Sequence, residues 1–151
     1  MKYTRETETR LLEALRQELG LFGKIREMTE KQTELIAADD IEGFDESLDR
    51  RQELIEKING LHQETQALMQ SYIAYSKSPG GGKRSEVEAA MKQRMDMIAK
   101  CSERNDKNTE AAKEKKKEYT DKIDKLNLNR KSLGSYIQTV ENAPELFDKK
   151  M

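Results

Sequence analysis

The sequence predicts an all-α protein, an elongated antiparallel helical bundle of the coiled-coil type with three long helices. Helix-forming residues such as Glu, Lys, Leu, Ala, Gln and Met dominate the chain, and prolines occur only at Pro79 and Pro144. Apolar side chains recur every three or four residues over long stretches. Because 34% of the residues are hydrophobic and 38% are charged, the buried seam of the bundle must be narrow.

The first helix is predicted from about residue 4 to residue 38. Gly20 and Gly23 lie within it, and they predict either a bend or a close approach by a neighbouring element. Its apolar stripe, interrupted by the polar Gln32, consists of Leu12, Leu15, Leu19, Phe22, Ile25, Met28 and Leu35.

The second helix is predicted at residues 40–75. Asp39 and Asp40 precede it and predict a tight helical hairpin, because a short carboxylate can accept hydrogen bonds from the free N–H groups of a helix start. The spacings in the seam alternate between three and four residues, as in a coiled coil. Its members are Ile41, Phe44, Leu48, Arg51, Ile55, Ile58, His62, Thr65, Met69 and Tyr72.

The third helix is predicted at residues 86–140, after a flexible Gly-rich loop at residues 76–85. Ser85 and Glu88 have the spacing of a capping box. We expect poor packing in its middle, where Asn105 and Asn108 replace apolar residues. A helix of this length would extend about 80 Å, so part of it must project or break. Its stripe is Val87, Met91, Met95 or Ile98, Cys101, then Tyr119, Ile123, Leu126, Leu133 and Ile137.

The length predicts one domain at residues 1–137, followed by a flexible C-terminal tail at residues 138–151. Residues 1–60 carry 10 basic and 15 acidic side chains, whereas residues 77–117 carry 12 and 7. Because no aromatic residues accompany the lysines, this asymmetry favours antiparallel helices with complementary faces over binding of nucleic acid. The chain opens without an apolar export signal and contains no apolar run of about 20 residues. We therefore expect a cytoplasmic protein that does not insert into membranes.

The cysteine and histidine content argues against a disulfide, a metal site and an enzyme. Cys101 is the only cysteine and His62 the only histidine, and neither has a second soft ligand three or four residues away. The heptad spacing points His62 into the seam, which favours a packing role over the alternative of phosphoryl transfer through its imidazole. Residues 80–85 lack the spacing of a phosphate-binding loop. We predict a non-enzymatic protein without a cofactor.

Two stretches resemble the FlgN-like flagellar type III export chaperone family, to which the FliT class is a near relative. In residues 35–45 a short acidic turn follows a helix end, and Leu48 and the Arg-Gln pair at residues 51–52 come next. Residues 136–150, which run from a tyrosine to Phe-Asp-Lys-Lys, are similar to the tails of these proteins. The resemblance implies a cytoplasmic chaperone that binds C-terminal helical segments of hook-associated proteins of the FlgK and FlgL type. It also implies delivery of this cargo to the export gate protein FlhA.

The apolar face at the end of the third helix, together with the tail, predicts the cargo-binding surface. Its residues are Leu126, Leu133, Ile137, Val140, Leu146 and Phe147. The resemblance assigns Tyr136 to docking at the export gate. The alternative is a structural coiled-coil protein that associates with itself through the seam at residues 41–72. Both a monomer and a homodimer are compatible with the sequence.

Overall fold

The computed structural model describes residues 1–115 together with Tyr119, Lys122, Leu126 and Leu133. This part of the chain contains three helices, α1 (Arg5–Ala37), α2 (Ile41–Lys77) and α3 (Ser85–Glu114), and no strand. The all-α prediction is confirmed. α1 packs along both α2 and α3. The tail predicted at residues 138–151 lies outside the described residues.

α1 begins with a capping box formed by Thr4 and Thr7. The Thr4 hydroxyl accepts a hydrogen bond from the Thr7 backbone N–H at 3.2 Å, and the Thr7 hydroxyl accepts one from the Thr4 N–H at 2.6 Å. These bonds satisfy N–H groups that have no partner within the helix. The bundle thus has a defined end near the start of the chain.

The hairpin between α1 and α2 forms as predicted. Asp40 caps α2, and its Oδ1 accepts a hydrogen bond from the Gly43 N–H at 2.9 Å. Asp39 adopts a left-handed conformation with φ 57°, which Asp tolerates better than most residues. The two aspartates together reverse the chain within three residues, so α2 runs antiparallel to α1.

α3 runs parallel to α1, and ion pairs connect the acidic first part of the chain to the basic third part. Glu8 pairs with Arg84 at 3.0 Å, Glu18 with Arg94 at 2.9 Å, and Asp39 with Lys115 at 2.8 Å. The predicted charge attraction is therefore confirmed, but the helices that it joins are parallel rather than antiparallel.

The predicted capping box at the start of α3 is wrong. Arg84 is the N-cap residue, and its side chain makes no capping hydrogen bond. The Glu88 carboxylate instead accepts a hydrogen bond from the Tyr72 hydroxyl at 2.6 Å. A partner on α2 therefore competes successfully for the residue that would have completed the box.

α3 ends at Glu114, with Lys115 as its C-cap residue, rather than near residue 140. Of the two outcomes open to an overlong third helix, the helix breaks. Lys115 is held by Asp39 at the hairpin, and of the described residues that follow, Tyr119, Leu126 and Leu133 are buried in the core. Tyr119 and Leu126 lie near the hairpin, whereas Leu133 lies towards the middle of the bundle. Tyr119, Leu126 and Leu133 therefore lie within the bundle of the three helices rather than beyond its end.

The seam of α2 follows the prediction closely, whereas that of α1 is shifted. Leu12, Leu19, Met28 and Leu35 are only partly buried. Polar residues that were not assigned to the seam take the central positions instead. The buried residues of α1 are Leu11, Leu15, Glu18, Phe22, Ile25, Thr29, Gln32 and Ile36.

Gly20 and Gly23 do not mark a close approach. A Cβ atom added at either position would meet no other atom within 4 Å. The close-approach alternative is therefore wrong, and α1 is continuous through both glycines.

Candidate functional site

Two of the residues predicted to bind cargo are described by the structure, and both are fully buried within the chain. Leu126 packs into a cluster formed by Ile36, Phe44, Leu48, Ala112 and Tyr119. Leu133 packs into the neighbouring cluster formed by Phe22, Ile25, Ile55, Ile58, Ile98 and Cys101. Tyr136, Ile137, Val140, Leu146 and Phe147 lie outside the described residues.

We call the apolar groove that holds Leu126 and Leu133 the return seam. It is formed by the residues of these two clusters on α1, α2 and α3. Polar as well as apolar interactions hold the described residues after Lys115 against the helices. Lys122 forms an ion pair with Asp45 on α2 at 2.8 Å. The Asn105 side-chain amide donates a hydrogen bond to the Leu126 carbonyl at 3.4 Å. The Tyr119 and Phe44 rings meet edge to face at 5.4 Å.

The middle of α3 is well packed, contrary to the expectation from its sequence. Asn108 accepts a hydrogen bond from the Thr33 hydroxyl at 2.7 Å and donates one to the Thr29 carbonyl at 2.9 Å. Asn105 accepts a hydrogen bond from the Arg51 guanidinium. Buried amides satisfied in this way fix the relative positions of the helices they join.

A buried ion pair lies further along the bundle, between α1 and α3. Arg94 donates from Nε and Nη2 to the Glu18 Oε1 at 3.2 and 2.9 Å, and both side chains are buried. His62 Nδ1 lies 3.7 Å from the same oxygen, and its side chain is 13% exposed. Arg94 also lies over the Phe22 ring, 5.7 Å from its centroid. His62 thus lies in the seam, as its spacing predicted.

The environment of Glu18 favours its ionised form. Burial alone would raise the pKa of this carboxyl, but hydrogen bonding with His62, the charge of Arg94 and hydrogen bonding with Thr65 together hold the pKa below its usual value of 4.5. Glu18 and Arg94 were not predicted as seam residues. A strict alternation of three and four residues from Leu11 and Leu15 would have placed Glu18 there.

The seam at residues 41–72, through which the alternative hypothesis has the protein associate with itself, is used within the chain. Phe44, Leu48, Ile55, Ile58 and Tyr72 are all at most 1% exposed. Self-association through these side chains would require α2 to leave the bundle. In the described part of the chain, no helix is long and apolar enough to cross a lipid bilayer.

A model of the FlgN protein family matches residues 1–136. The chain belongs to the FlgN family. No curated protein and no solved structure matches it. The family is one of flagellar export chaperones, so this FlgN protein has a chaperone role in flagellar export. The match confirms the resemblance to the FlgN family, and it includes the hairpin, Leu126 and Leu133, whereas the tail after residue 136 lies outside it.

Proposed function

We propose that this FlgN protein is a cytoplasmic chaperone for hook-associated proteins of the FlgK and FlgL type. It binds their C-terminal helical segments, keeps them unassembled and delivers them to the export gate protein FlhA. Membership of the FlgN family carries this proposal. The structure supports a physical route, since Leu126 and Leu133, one heptad apart and beyond the end of α3, pack against the three helices.

Residues 126–147 form the cargo-binding segment in this proposal. Leu126, Leu133, Ile137, Val140, Leu146 and Phe147 contribute its apolar contacts. Because Leu126 and Leu133 are buried in the free chain, they become available only when the segment leaves the return seam. A cargo helix then enters between the segment and the three helices, and apolar groups of both chains are buried again.

Opening the return seam limits the affinity for cargo. Burying one leucine contributes about 1.5–3 kcal/mol, so exposing Leu126 and Leu133 costs roughly 3–6 kcal/mol. A cargo helix must replace these contacts before it gains net affinity. Only a helix with apolar side chains of matching spacing can do so, which gives the chaperone selectivity without a rigid, exposed surface.

Isothermal titration with a purified C-terminal segment of the FlgK-type or FlgL-type protein tests the cargo surface. The double variant Ile137→Ser and Val140→Ser should weaken binding at least about tenfold, which corresponds to a loss of 1.4 kcal/mol. These substitutions leave Leu126 and Leu133 in the core. Ala89→Ser, at an exposed position on α3, is the matched control. Undiminished affinity of the double variant would show that this face does not bind cargo.

Tyr136 docks the loaded chaperone at FlhA in this proposal. Tyr136→Ala should retain cargo affinity within about twofold and lose capture by the cytoplasmic part of FlhA. A pull-down with and without cargo measures both properties. If Tyr136→Ala lost cargo instead, docking and cargo binding would not be separable functions.

A further inference from the structure

Arg51 on α2 is a buried cation without a counter-charge in the described part of the chain. Its side chain is fully buried, and its one hydrogen bond goes to the neutral amide oxygen of Asn105. The Nε and Nη2 groups have no hydrogen-bond partner among the described residues. Burial lowers the pKa of the guanidinium to about 10. A guanidinium withdrawn from water in this way is destabilising unless an anion or further acceptors compensate it.

The same bundle contains an arginine that is compensated. Arg94 on α3 is equally buried and donates two hydrogen bonds to the Glu18 carboxylate. In contrast, no carboxylate among residues 1–115 or the four described residues beyond them forms an ion pair with Arg51. Within the described part of the chain, Arg51 therefore differs from Arg94 in lacking an anionic partner and not in the extent of its burial.

Arg51 lies at the return seam, between the levels of the two buried leucines. On α2, Leu48 belongs to the cluster around Leu126, and Ile55 belongs to the cluster around Leu133. Asn105, which accepts from Arg51, donates to the Leu126 carbonyl. Any helix in this seam that places apolar side chains into both clusters brings its intermediate residues opposite Arg51.

The chemistry of Arg51 selects what such a helix carries between its two apolar positions. A guanidinium presents five N–H donors in a planar fork, and a carboxylate is the acceptor that matches it in charge and geometry. An amide supplies fewer acceptors and no charge. A lysine at that position would place two cations together in a dry environment.

We propose that Arg51, oriented by Asn105, selects cargo helices that carry an acidic side chain midway between two apolar side chains one heptad apart. The inference rests on the proposed function and adds to it the chemistry of the cargo segment. Arg51 has no anionic partner among the described residues of the free chaperone, and the acidic side chain of the cargo supplies one in the complex. The buried charge lowers the stability of the free chain and makes cargo binding selective for an acidic side chain.

The first test compares full-length variants without cargo. Arg51→Met replaces the guanidinium with an apolar side chain of similar length, so its urea midpoint should equal or exceed that of the wild type. Arg50→Met, at the exposed neighbouring position on α2, is the matched control and should leave the midpoint unchanged. A clear fall in the midpoint of Arg51→Met alone would show that the free chain already compensates the charge of Arg51, and would overturn the inference.

The second test measures cargo binding by isothermal titration. Each Asp and Glu of the C-terminal segment of the FlgK-type protein is replaced in turn by Asn or Gln. One replacement should weaken binding to the wild type at least about tenfold and change binding to Arg51→Met by less than about twofold, which is the signature of direct coupling. The Arg50→Met control should respond like the wild type.

The two outcomes of the binding test that count against the inference are distinct. Binding by the wild type in which no acidic residue couples to Arg51 overturns the selection by Arg51 and leaves the chaperone function standing. Absence of binding by the wild type overturns the proposed cargo function and this inference with it.

Discussion

Replacement of Arg94 by methionine should destabilise the bundle more than most single substitutions do. Arg94 and Glu18 are both buried and share two hydrogen bonds. Arg94→Met removes the cation and leaves the Glu18 carboxylate in the core. Breaking a buried pair from one side costs about 3–5 kcal/mol, because the remaining charge loses its partner and cannot return to water.

The double variant Glu18→Met and Arg94→Met should recover most of that loss. Two apolar side chains of similar length need no counter-charge, so we expect the double variant to lie within about 2 kcal/mol of the wild type. His62 contributes to the comparison, since it lies near the same Glu18 oxygen and gives the orphaned carboxylate a weaker alternative partner. The recovery, rather than the loss alone, identifies the ion pair as the cause.

Urea unfolding followed by circular dichroism at 222 nm measures these free energies for the wild type, Glu18→Met, Arg94→Met and the double variant. The comparison requires that the slope of the free energy against urea concentration is the same for all four proteins. If Arg94→Met cost less than about 1 kcal/mol, the Glu18 charge would be compensated elsewhere. If the double variant were as unstable as the sum of the two single variants, the side chains would act independently. Either result would refute the reasoning.

The same pair predicts the direction of a pH dependence. The pKa of Glu18 in the folded chain lies below its usual value of 4.5, so the unfolded chain binds the proton first as the pH falls. The stabilisation is complete above the usual value and is lost as the pH falls from about 4.5 through the folded pKa. The double variant should therefore lose less stability than the wild type between pH 5 and pH 3, at about equal ionic strength.

Three further substitutions and one chemical modification test other parts of the fold. Gly20→Ala and Gly23→Ala should each raise the unfolding free energy by about 0.5–1 kcal/mol, since the added Cβ meets nothing within 4 Å; a loss in urea unfolding would contradict this. Gly81→Ala should cost more than about 1 kcal/mol, because its Cβ would overlap the Tyr75 carbonyl oxygen, and an unchanged midpoint would show that the loop relaxes freely. Burial raises the pKa of Cys101 to about 11, so iodoacetamide at pH 8 should modify it only at the rate of unfolding, as mass spectrometry would show against a urea-unfolded control.

The seam of α2 was predictable because one alternation of three- and four-residue spacings runs from Phe44 to Tyr72 without a slip. Adjacent apolar pairs such as Leu54 and Ile55 occur in it, but the unbroken alternation decides between their members, and even Arg51 and Thr65 fall into register. α1 lacks this property. Leu11 is followed directly by Leu12, and the true stripe includes Glu18 and Gln32, which a search for apolar residues rejects. Polar residues can occupy such positions when buried partners satisfy them, and those partners are known only from the packed structure.

The end of α3 could not be predicted from local signals. Residues 115–133 contain neither glycine nor proline, and their composition favours a continuing helix. Lys115 nevertheless ends α3, where its side chain pairs with Asp39. The break allows Tyr119, Leu126 and Leu133 to become buried, which a straight helix would leave in water. Tertiary burial thus overrides helix propensity at this point.

The burial of Leu126 and Leu133 shows why an apolar stripe identified from sequence does not distinguish a core from a docking surface. Both need apolar side chains at heptad spacing, and the free energy per leucine is the same in either location. What separates them is whether the chain itself can supply the covering surface. Here it does so through Phe44, Leu48 and Ile98, after a break that has no signal in the sequence.

Cargo must therefore displace the covered segment from the return seam and cannot simply fill an empty groove. The affinity for cargo is then set by the difference in free energy between the packing of the segment and the packing of the cargo helix. Leu48 packs in the cluster with Leu126 in the free chain, and in the proposed complex it packs against the cargo helix that replaces this segment. Leu48→Ala removes packing from both states, so it should lower the urea midpoint of the free chain and change cargo affinity by less than about threefold. A clear gain in affinity in isothermal titration would mean that the cargo helix does not enter the return seam.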